Sequence, residues 1–253
     1  MNKIPVSVAI ITKNEETDLP GCLESVSFAA EVVIVDCGSV DRTADIARRF
    51  GARFFVEAWK GYGPQKNSAL EKCSYDWVLT LDADERVPPE TGVKIGELIS
   101  GGGGCEGYSF RRKNLFHGKW ISATDWWPDE VTRLFKKSRG RFEGLTHERL
   151  VVEGVTKRLK YCIEHFSYNS YSEIFRKLDD YSTEQASQML SAGKRAGPAD
   201  AVLRGAWMFF RNYFLRLGFT CGFDGFVISL SKGIGTFLKY AKLYELRKLS
   251  SGR

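Results

Sequence analysis

The chain has 253 residues, with 37 Lys and Arg against 31 Asp and Glu, 43% hydrophobic residues and six cysteines. This length suits one large α/β domain, or one with an appendage, and the ordinary mixture of apolar and charged residues excludes disordered, collagen-like and disulfide-scaffold classes. The net charge of +6 is uneven: residues 1–156 carry −2 and residues 157–253 carry +8. The cysteines are scattered without a C-x-x-C pair, which reads as reduced thiols in a cytoplasmic protein. The N-terminus offers no secretory leader pattern, and no apolar run reaches the roughly 18 residues of a spanning helix.

The first hundred residues alternate between two periods. Val6–Thr12, Val32–Asp36, Arg53–Val56 and Trp77–Asp82 are short β-branched or aromatic runs, the pattern of buried parallel strands. Helical periods fill the gaps at Leu19–Ala30, at Thr43–Phe50 behind Asp41, and at Gln65–Lys72. Strands alternating with helices predict βαβ units and a doubly wound sheet. A further helix follows Pro88-Pro89 to Ile99, and Gly101–Gly104 forms a loop. Between Gly107 and His165, strand-like pieces (Tyr108–Arg111, Arg133–Phe135, Tyr161–Ile163) lie among glycines, tryptophans and charges, as expected of a segment that builds a site. Three helices are predicted beyond Tyr171: Ser172–Ala192, Ala199–Leu217 and Phe226–Leu249.

Two strands end in carboxylates, Asp36 and Asp82. Ligands of open α/β sheets sit outside the carboxyl ends of the strands, where such acids can face a nucleotide. Asp82-Ala83-Asp84 adds a second carboxylate two residues on, an arrangement that can hold a hard divalent cation bridging diphosphate oxygens, or can simply form a solvated turn. The segment after the first strand, Thr12-Lys13-Asn14-Glu15-Glu16, is neither G-x-G-x-x-G nor a P-loop, which disfavours dinucleotide binding and Walker-type ATP hydrolysis.

Val8–Glu16 (VAIITKNEE), Val33–Thr43 (VIVDCGSVDRT), Gln65–Ala69 (QKNSA) and Leu79–Glu85 (LTLDADE) resemble, in order and spacing, the N-terminal half of family 2 glycosyltransferases of the GT-A fold. Arg112–Trp120, Trp127–Phe135, Gly140–Arg149, His165–Tyr168 and the C-terminal GF…DG resemble the bacterial lipopolysaccharide core β-1,4-glucosyltransferase subgroup. The resemblance implies a GT-A type α/β fold, a mixed, mostly parallel sheet flanked by helices. Residues 1–168 would form the catalytic domain, with a nucleotide half (1–100) and an acceptor half (101–168), and 169–253 a basic amphipathic helical region. It implies that Thr12, Asn14, Glu16 and Asp36 line the nucleoside pocket, that Lys66 and Asn67 lie near the sugar diphosphate, and that Asp82 and Asp84 form the donor and metal pair for Mg²⁺ or Mn²⁺. Family members often carry Asp-Asp after the second strand; here Cys37 takes the second place and leaves Asp36 as the carboxylate. His165 is either a third metal ligand or a structural histidine.

An inverting transferase needs a carboxylate to accept the proton of the acceptor hydroxyl. The counterpart of the family's acidic residue is Glu148 of Thr146-His147-Glu148-Arg149, with Asp129 and then Glu143 as alternatives. Trp120, Trp126, Trp127 and Phe116 cluster among polar residues and suit either a sugar-stacking acceptor platform, to which His147 is added, or a plain core. In the last helices apolar stripes (Val202, Ala206, Phe209, Phe210, Tyr213, Leu217; Ile234, Phe237, Leu238, Ala241, Tyr244) run beside basic residues, a pattern for a membrane surface or for packing on the catalytic domain. No nucleic-acid module is visible. The expectation is an inverting hexosyltransferase moving glucose from a UDP-sugar to a lipid-linked saccharide of the lipopolysaccharide inner core, peripheral on the inner face of the cytoplasmic membrane. The rivals are a sugar-phosphate nucleotidyltransferase and a non-catalytic membrane-surface adaptor.

Overall fold

The computed structural model describes residues 3–102, 104–144, 148–168 and 170–251. The chain divides into two compact units, Met1–Arg112 with Glu130–His165, and Lys113–Asp129 with Phe166–Arg253. The expected boundary at 168/169 follows the onset of helical period. The observed partition also takes residues 113–129 out of the first unit, through a discontinuity that periodicity does not register.

In the first unit, strands β1 (Ile4–Thr12), β2 (Ala29–Asp36), β3 (Arg53–Val56) and β4 (Trp77–Asp82) alternate with helices α1 (Leu19–Ser25), α2 (Thr43–Arg49) and α3 (Tyr62–Lys72). The short β5 (Glu85–Arg86) and helix α4 (Pro89–Ser100) precede β6 (Gly107–Phe116), β7 (Lys119–Trp120), β8 (Glu130–Lys136), β9 (Gly140–Glu143), β10 (Arg149–Val152) and β11 (Thr156–Tyr168), of which β7 and the last residues of β6 and β11 are assigned to the second unit. The main sheet has the order β3-β2-β1-β4-β8-β6-β11-β5, while β9 and β10 form a separate antiparallel pair. β1 pairs in parallel with both β2 and β4, and β8 is antiparallel to β4 and to β6. This is the expected mixed sheet, a parallel nucleotide half continued by antiparallel strands.

The pleat of β1 explains its unbroken apolar run. Val6, Val8 and Ile10 enter one core with Leu19, Leu23, Ile95 and Phe110, whereas Ala9 enters the opposite core with Val33, Val35, Leu70 and Phe135. α1 stops at Ser25, short of the expected Ala30, because Ala29 already lies in β2 opposite Ile4. α3 begins at Tyr62, three residues early. There Gly61 takes φ +99°, and a Cβ on Gly63 would fall 2.1 Å from the Gly144 carbonyl oxygen. The strand order reverses between β1 and β4, so the carboxyl ends of these two strands, Thr12 and Asp82, border the sheet's switch point.

The second unit holds α5 (Tyr171–Ser191), α6 (Pro198–Phe210) and α7 (Gly222–Ser251). Ser170 caps α5 by accepting the Glu173 amide, and Pro198 opens α6 while Asp200 accepts the Gly197 amide. The long second helix expected to reach Leu217 ends at Phe210, and Arg211–Leu215 form a wider turn. α6 and α7 cross closely at glycines: a Cβ on Gly205 would meet Phe237 Cβ at 2.9 Å, and one on Gly233 would meet Phe209 Cβ at 3.0 Å. Phe237 and Phe209 of the expected stripes therefore face the partner helix. Among the described residues no single helix is long and apolar enough to cross a membrane, although the bent pair Pro198–Leu215 and Gly218–Leu249, angled by 69°, reaches that length and apolarity together.

Candidate active site

Two loops at the carboxyl ends of β1 and β2 are bonded into one block. Lys13 Nζ donates to the carbonyls of Cys37 (3.0 Å) and Gly38 (2.7 Å), and the Asn14 amide donates to Ser39 Oγ at 2.7 Å. Asn14 Oδ1 accepts the Val40 amide at 2.9 Å, and Asn14 sits at φ +56°, a conformation its short polar side chain tolerates. Glu16 accepts from Arg42 at 3.1 Å, while the Glu16 amide donates to Asp41. Asp36 is buried, with Thr12 Oγ1 donating to it at 2.8 Å and the amides of Gly38 and Ser39 at 2.8 and 2.7 Å. The structure thus brings Thr12, Asn14, Glu16 and Asp36 together, their side chains joining the two loops into a preformed rim.

Beside that rim a chain of charges runs through the first unit. Lys66, buried on α3, lies 2.8 Å from Glu148 Oε1 and 3.0 Å from Asp82 Oδ1. Arg133 of β8 lies 2.6 Å from both Asp82 Oδ2 and Glu85 Oε1, and Arg112 reaches Glu85 at 3.4 Å. Glu85, fully buried, also accepts the Asp82 amide at 3.1 Å. Burial alone would push the Asp82 carboxyl up, but Arg133 and Lys66 outweigh it and hold it well below the usual carboxylate range. Burial would likewise pull Lys66 down, and Asp82, followed by Glu148, raises it above the ordinary lysine value. Arg133 is raised too, as Asp82 and Glu85 offset its burial.

Asp82 and Asp84 therefore have different surroundings. Both oxygens of Asp82 are engaged by protein cations, which argues against its expected share in a metal. Asp84 Oδ1 is buried without a hydrogen-bond partner, and Oδ2 lies 3.2 Å from His165 Nε2. β11 places His165 there by pairing it with Glu85. A buried unpartnered carboxylate oxygen beside an imidazole fits a Mg²⁺ or Mn²⁺ ion that completes its shell with other oxygens, although no group of three protein donors occurs among the described residues.

Asn67, expected near the diphosphate, is engaged differently. Its Nδ2 donates to the Phe142 carbonyl and its Oδ1 accepts the Phe142 amide, both at 2.8 Å, so it pins β9 to α3. Asn67→Ala is expected to cost about 1–3 kcal/mol, because two backbone groups lose their partner; urea unfolding measures this, and an unchanged midpoint would contradict it. His147 lies outside the described residues. Arg133 and Glu85 were missed from the sequence. The available signal was a lone Arg inside the apolar run of β8 and an acid just after Asp-x-Asp.

In the second unit, Trp126 stacks on Tyr168 with ring centroids 5.7 Å apart and packs near Phe116, Ile174 and Ile228. Trp126 thus joins a core, whereas Trp120, which is exposed, meets Trp127 edge-on at 4.9 Å. Asp129 accepts from Asn114 Nδ2 at 3.1 Å, and the same amide donates to the Trp126 carbonyl. A cavity of about 730 Å³ lies at the amino ends of β2 and β3, beside Glu31, Arg53 and Ser74. Its Glu31 is already bonded by Arg53 and Ser74, and the carboxylates described above lie at the other end of the strands.

The sequence model of Glycosyl transferase family 2 matches residues 7–153. The chain is 32% identical to the lipopolysaccharide core biosynthesis glycosyltransferase LpsC of Rhizobium meliloti, over 98% of this chain and 95% of that protein. It is 33% identical to an uncharacterized glycosyltransferase of Rickettsia bellii, over 95% of this chain and 86% of that one. Among solved structures, glucosyl-3-phosphoglycerate synthase from Mycobacterium tuberculosis, in complex with Mn²⁺, UDP and glucosyl-3-phosphoglycerate, aligns over 44% of each chain with 24% identity and a TM-score of 0.37. The chain spans under half the length of that structure. On the full-length relatives and the family match, the chain belongs to glycosyl transferase family 2 and is a glycosyltransferase.

Proposed function

We propose that the chain transfers a hexose, glucose in the first instance, from a UDP-sugar to a lipid-linked saccharide, with inversion at the anomeric carbon. The observation that carries the reading is Asp84, with Oδ1 buried and unpartnered and Oδ2 3.2 Å from His165, beside the Glu148–Lys66–Asp82 chain at the carboxyl edge where β1 meets β4. Thr12, Asn14, Glu16 and Asp36 shape the nucleoside rim, and Lys66, held by Asp82, lies toward the diphosphate. Asn67 acts from behind by fixing β9. Asp84 and His165 would hold the divalent cation, which when bound supplies positive charge to the diphosphate oxygens. Glu148 takes the proton of the acceptor hydroxyl as that oxygen bonds to the anomeric carbon; the bond to the UDP oxygen breaks, and UDP leaves with its electron pair. Asp129 is the alternative base. Trp120 and Trp127 offer ring faces to the acceptor sugar, and Trp126 and His147 complete the acceptor-side residues of this reading.

The similarity to LpsC supports an acceptor in the lipopolysaccharide core, an inner-core heptose being the sugar proposed. Residues 1–168 would then do the chemistry while 169–253 meet the inner face of the cytoplasmic membrane. Purified protein screened against UDP-glucose, UDP-galactose and GDP-mannose with Mn²⁺ is expected to melt higher with a UDP-hexose, because a ligand that binds the native state raises its melting temperature. No shift with any nucleotide sugar would sink the reading. Asp84→Asn is expected to abolish the Mn²⁺-dependent part of the shift and to lower transfer by about 10²–10³-fold. A full Mn²⁺-dependent shift in that variant would remove Asp84 from the metal.

A further inference from the structure

α6 has two apolar faces. Ala201, Gly205, Phe209 and Asn212 turn inward, and Gly205 and Phe209 meet α7 there. On the opposite side Leu203, Trp207, Phe210 and Phe214, spaced at four, three and four residues, form a continuous outward stripe. They are 69%, 55%, 44% and 47% exposed, and Trp207 stacks on Phe210 and Phe210 packs on Phe214. The stripe continues around the bend through Leu215, Leu217, Phe219 and Phe223, all exposed. A soluble helix buries its apolar face and wets the other; here both are apolar.

The segment that carries this ridge has only basic charged residues of its own. Residues 201–223 contain no Asp or Glu and three arginines, Arg204, Arg211 and Arg216, which pair with carboxylates outside the segment, Arg204 with Asp200 at 3.4 Å and Arg211 and Arg216 with Asp125 at 3.0 and 3.9 Å. Arg204 lies on the shoulder of the stripe with its guanidinium 5.0 Å over the Tyr240 ring, and next to it stand Lys239 and Lys194. Burial, then Lys194 and Arg204, pull Lys239 below the ordinary lysine value, and neither lysine forms an ion pair among the described residues. Lys239 borders two recesses of about 280 and 300 Å³. An apolar, Trp- and Phe-rich ridge with Lys194 and Lys239 at its shoulder has the chemistry of the boundary between acyl chains and anionic headgroups.

We propose that the ridge Leu203–Trp207–Phe210–Phe214, continued by Leu217, Phe219 and Phe223, inserts into the surface of an anionic lipid bilayer, with Lys239 and Lys194 over the lipid phosphates. The occupant is a bilayer rather than a protein because the cations rim an apolar ridge instead of a groove, and because the bent helix pair has the apolarity of a membrane element. The proposal deepens the membrane-surface part of the proposed function and rests on it for its purpose. It also divides the sequence stripes, which allowed either a membrane surface or packing, since Phe209 and Phe237 meet the neighbouring helix.

Co-sedimentation of the full chain with phosphatidylcholine vesicles, and with vesicles also containing phosphatidylglycerol, tests it. The wild type is expected to bind the anionic vesicles at least about tenfold more tightly than the neutral ones. Trp207→Ser/Phe210→Ser/Phe214→Ser, all at exposed positions, is expected to weaken that binding at least about tenfold while the UDP-hexose melting shift stays unchanged. Lys194→Glu/Lys239→Glu should remove the preference for phosphatidylglycerol. Absence of anionic-vesicle binding by the wild type, or undiminished binding by the triple Ser variant, overturns the proposal. So does a wild-type dimer in light scattering that the triple variant dissolves without any vesicle binding, since the ridge would then join copies of the chain. Vesicle binding without any nucleotide-sugar shift would leave the ridge standing and sink the UDP-hexose reading alone.

Discussion

Glu148→Gln is expected to lower kcat by about 10²–10⁴-fold with a heptose-terminated acceptor, the range a positioned general base contributes. The substitution keeps the shape of the side chain and an oxygen for Lys66 Nζ, which now lies 2.8 Å from Glu148 Oε1. UDP-sugar affinity by calorimetry should therefore stay within about threefold, under 1 kcal/mol. A loss confined to kcat marks an interaction made only as the acceptor reacts. Asp129→Asn is the paired control. If it loses kcat and Glu148→Gln does not, the base is Asp129, which accepts a hydrogen bond from Asn114.

Arg133→Met is expected to destabilise the chain by about 3 kcal/mol, because it leaves the buried Glu85 and the half-buried Asp82 short of their shared cation. Urea unfolding at neutral pH reads the loss, and a change under about 1 kcal/mol would contradict it. The acid limb supplies a second reading. Asp82 is depressed in the folded protein, so its contribution is present above the ordinary carboxylate value and is lost only as pH falls through the lowered one. Lys66 is raised, so its contribution is present below the ordinary lysine value and is lost only as pH rises through the raised one. Without Arg133 the Asp82 carboxyl keeps Lys66 alone, and unfolding on acidification should begin at higher pH than in the wild type.

How much of this was legible in the sequence depended on distance along the chain. The runs of β1, β2 and β4 showed themselves because both their faces are buried, and Asp82 and Asp84 were visible because they sit just past such a run. Their division of labour was not visible: it depends on Lys66, Arg133 and His165, which arrive from α3, β8 and β11. Arg133 reads locally as an exposed strand charge, and its burial follows from pairing with residues about fifty positions earlier. β11 was recognised only at Tyr161–Ile163, since its exposed Lys157, Arg158 and Lys160 hide thirteen residues of strand behind polar spacing. The outward stripe of α6 was confounded with the inward one because every turn of that helix is apolar, and only the crossing at Gly205 and Gly233 shows which side is covered.

The charges from Glu148 through Lys66, Asp82, Arg133 and Glu85 to Arg112 alternate in sign and cancel. Such a row holds its shape without projecting a field, so it does not act as a sink for the phosphate and free nucleotides that crowd a cell. Capture of the donor should then depend little on ionic strength, unlike capture by a cleft lined with one sign of charge. Under the proposed function, discrimination would pass from long-range attraction to short-range fit, in which a molecule must match the rim built from Asn14, Glu16 and Asp36 before its own negative charge finds a counterpart.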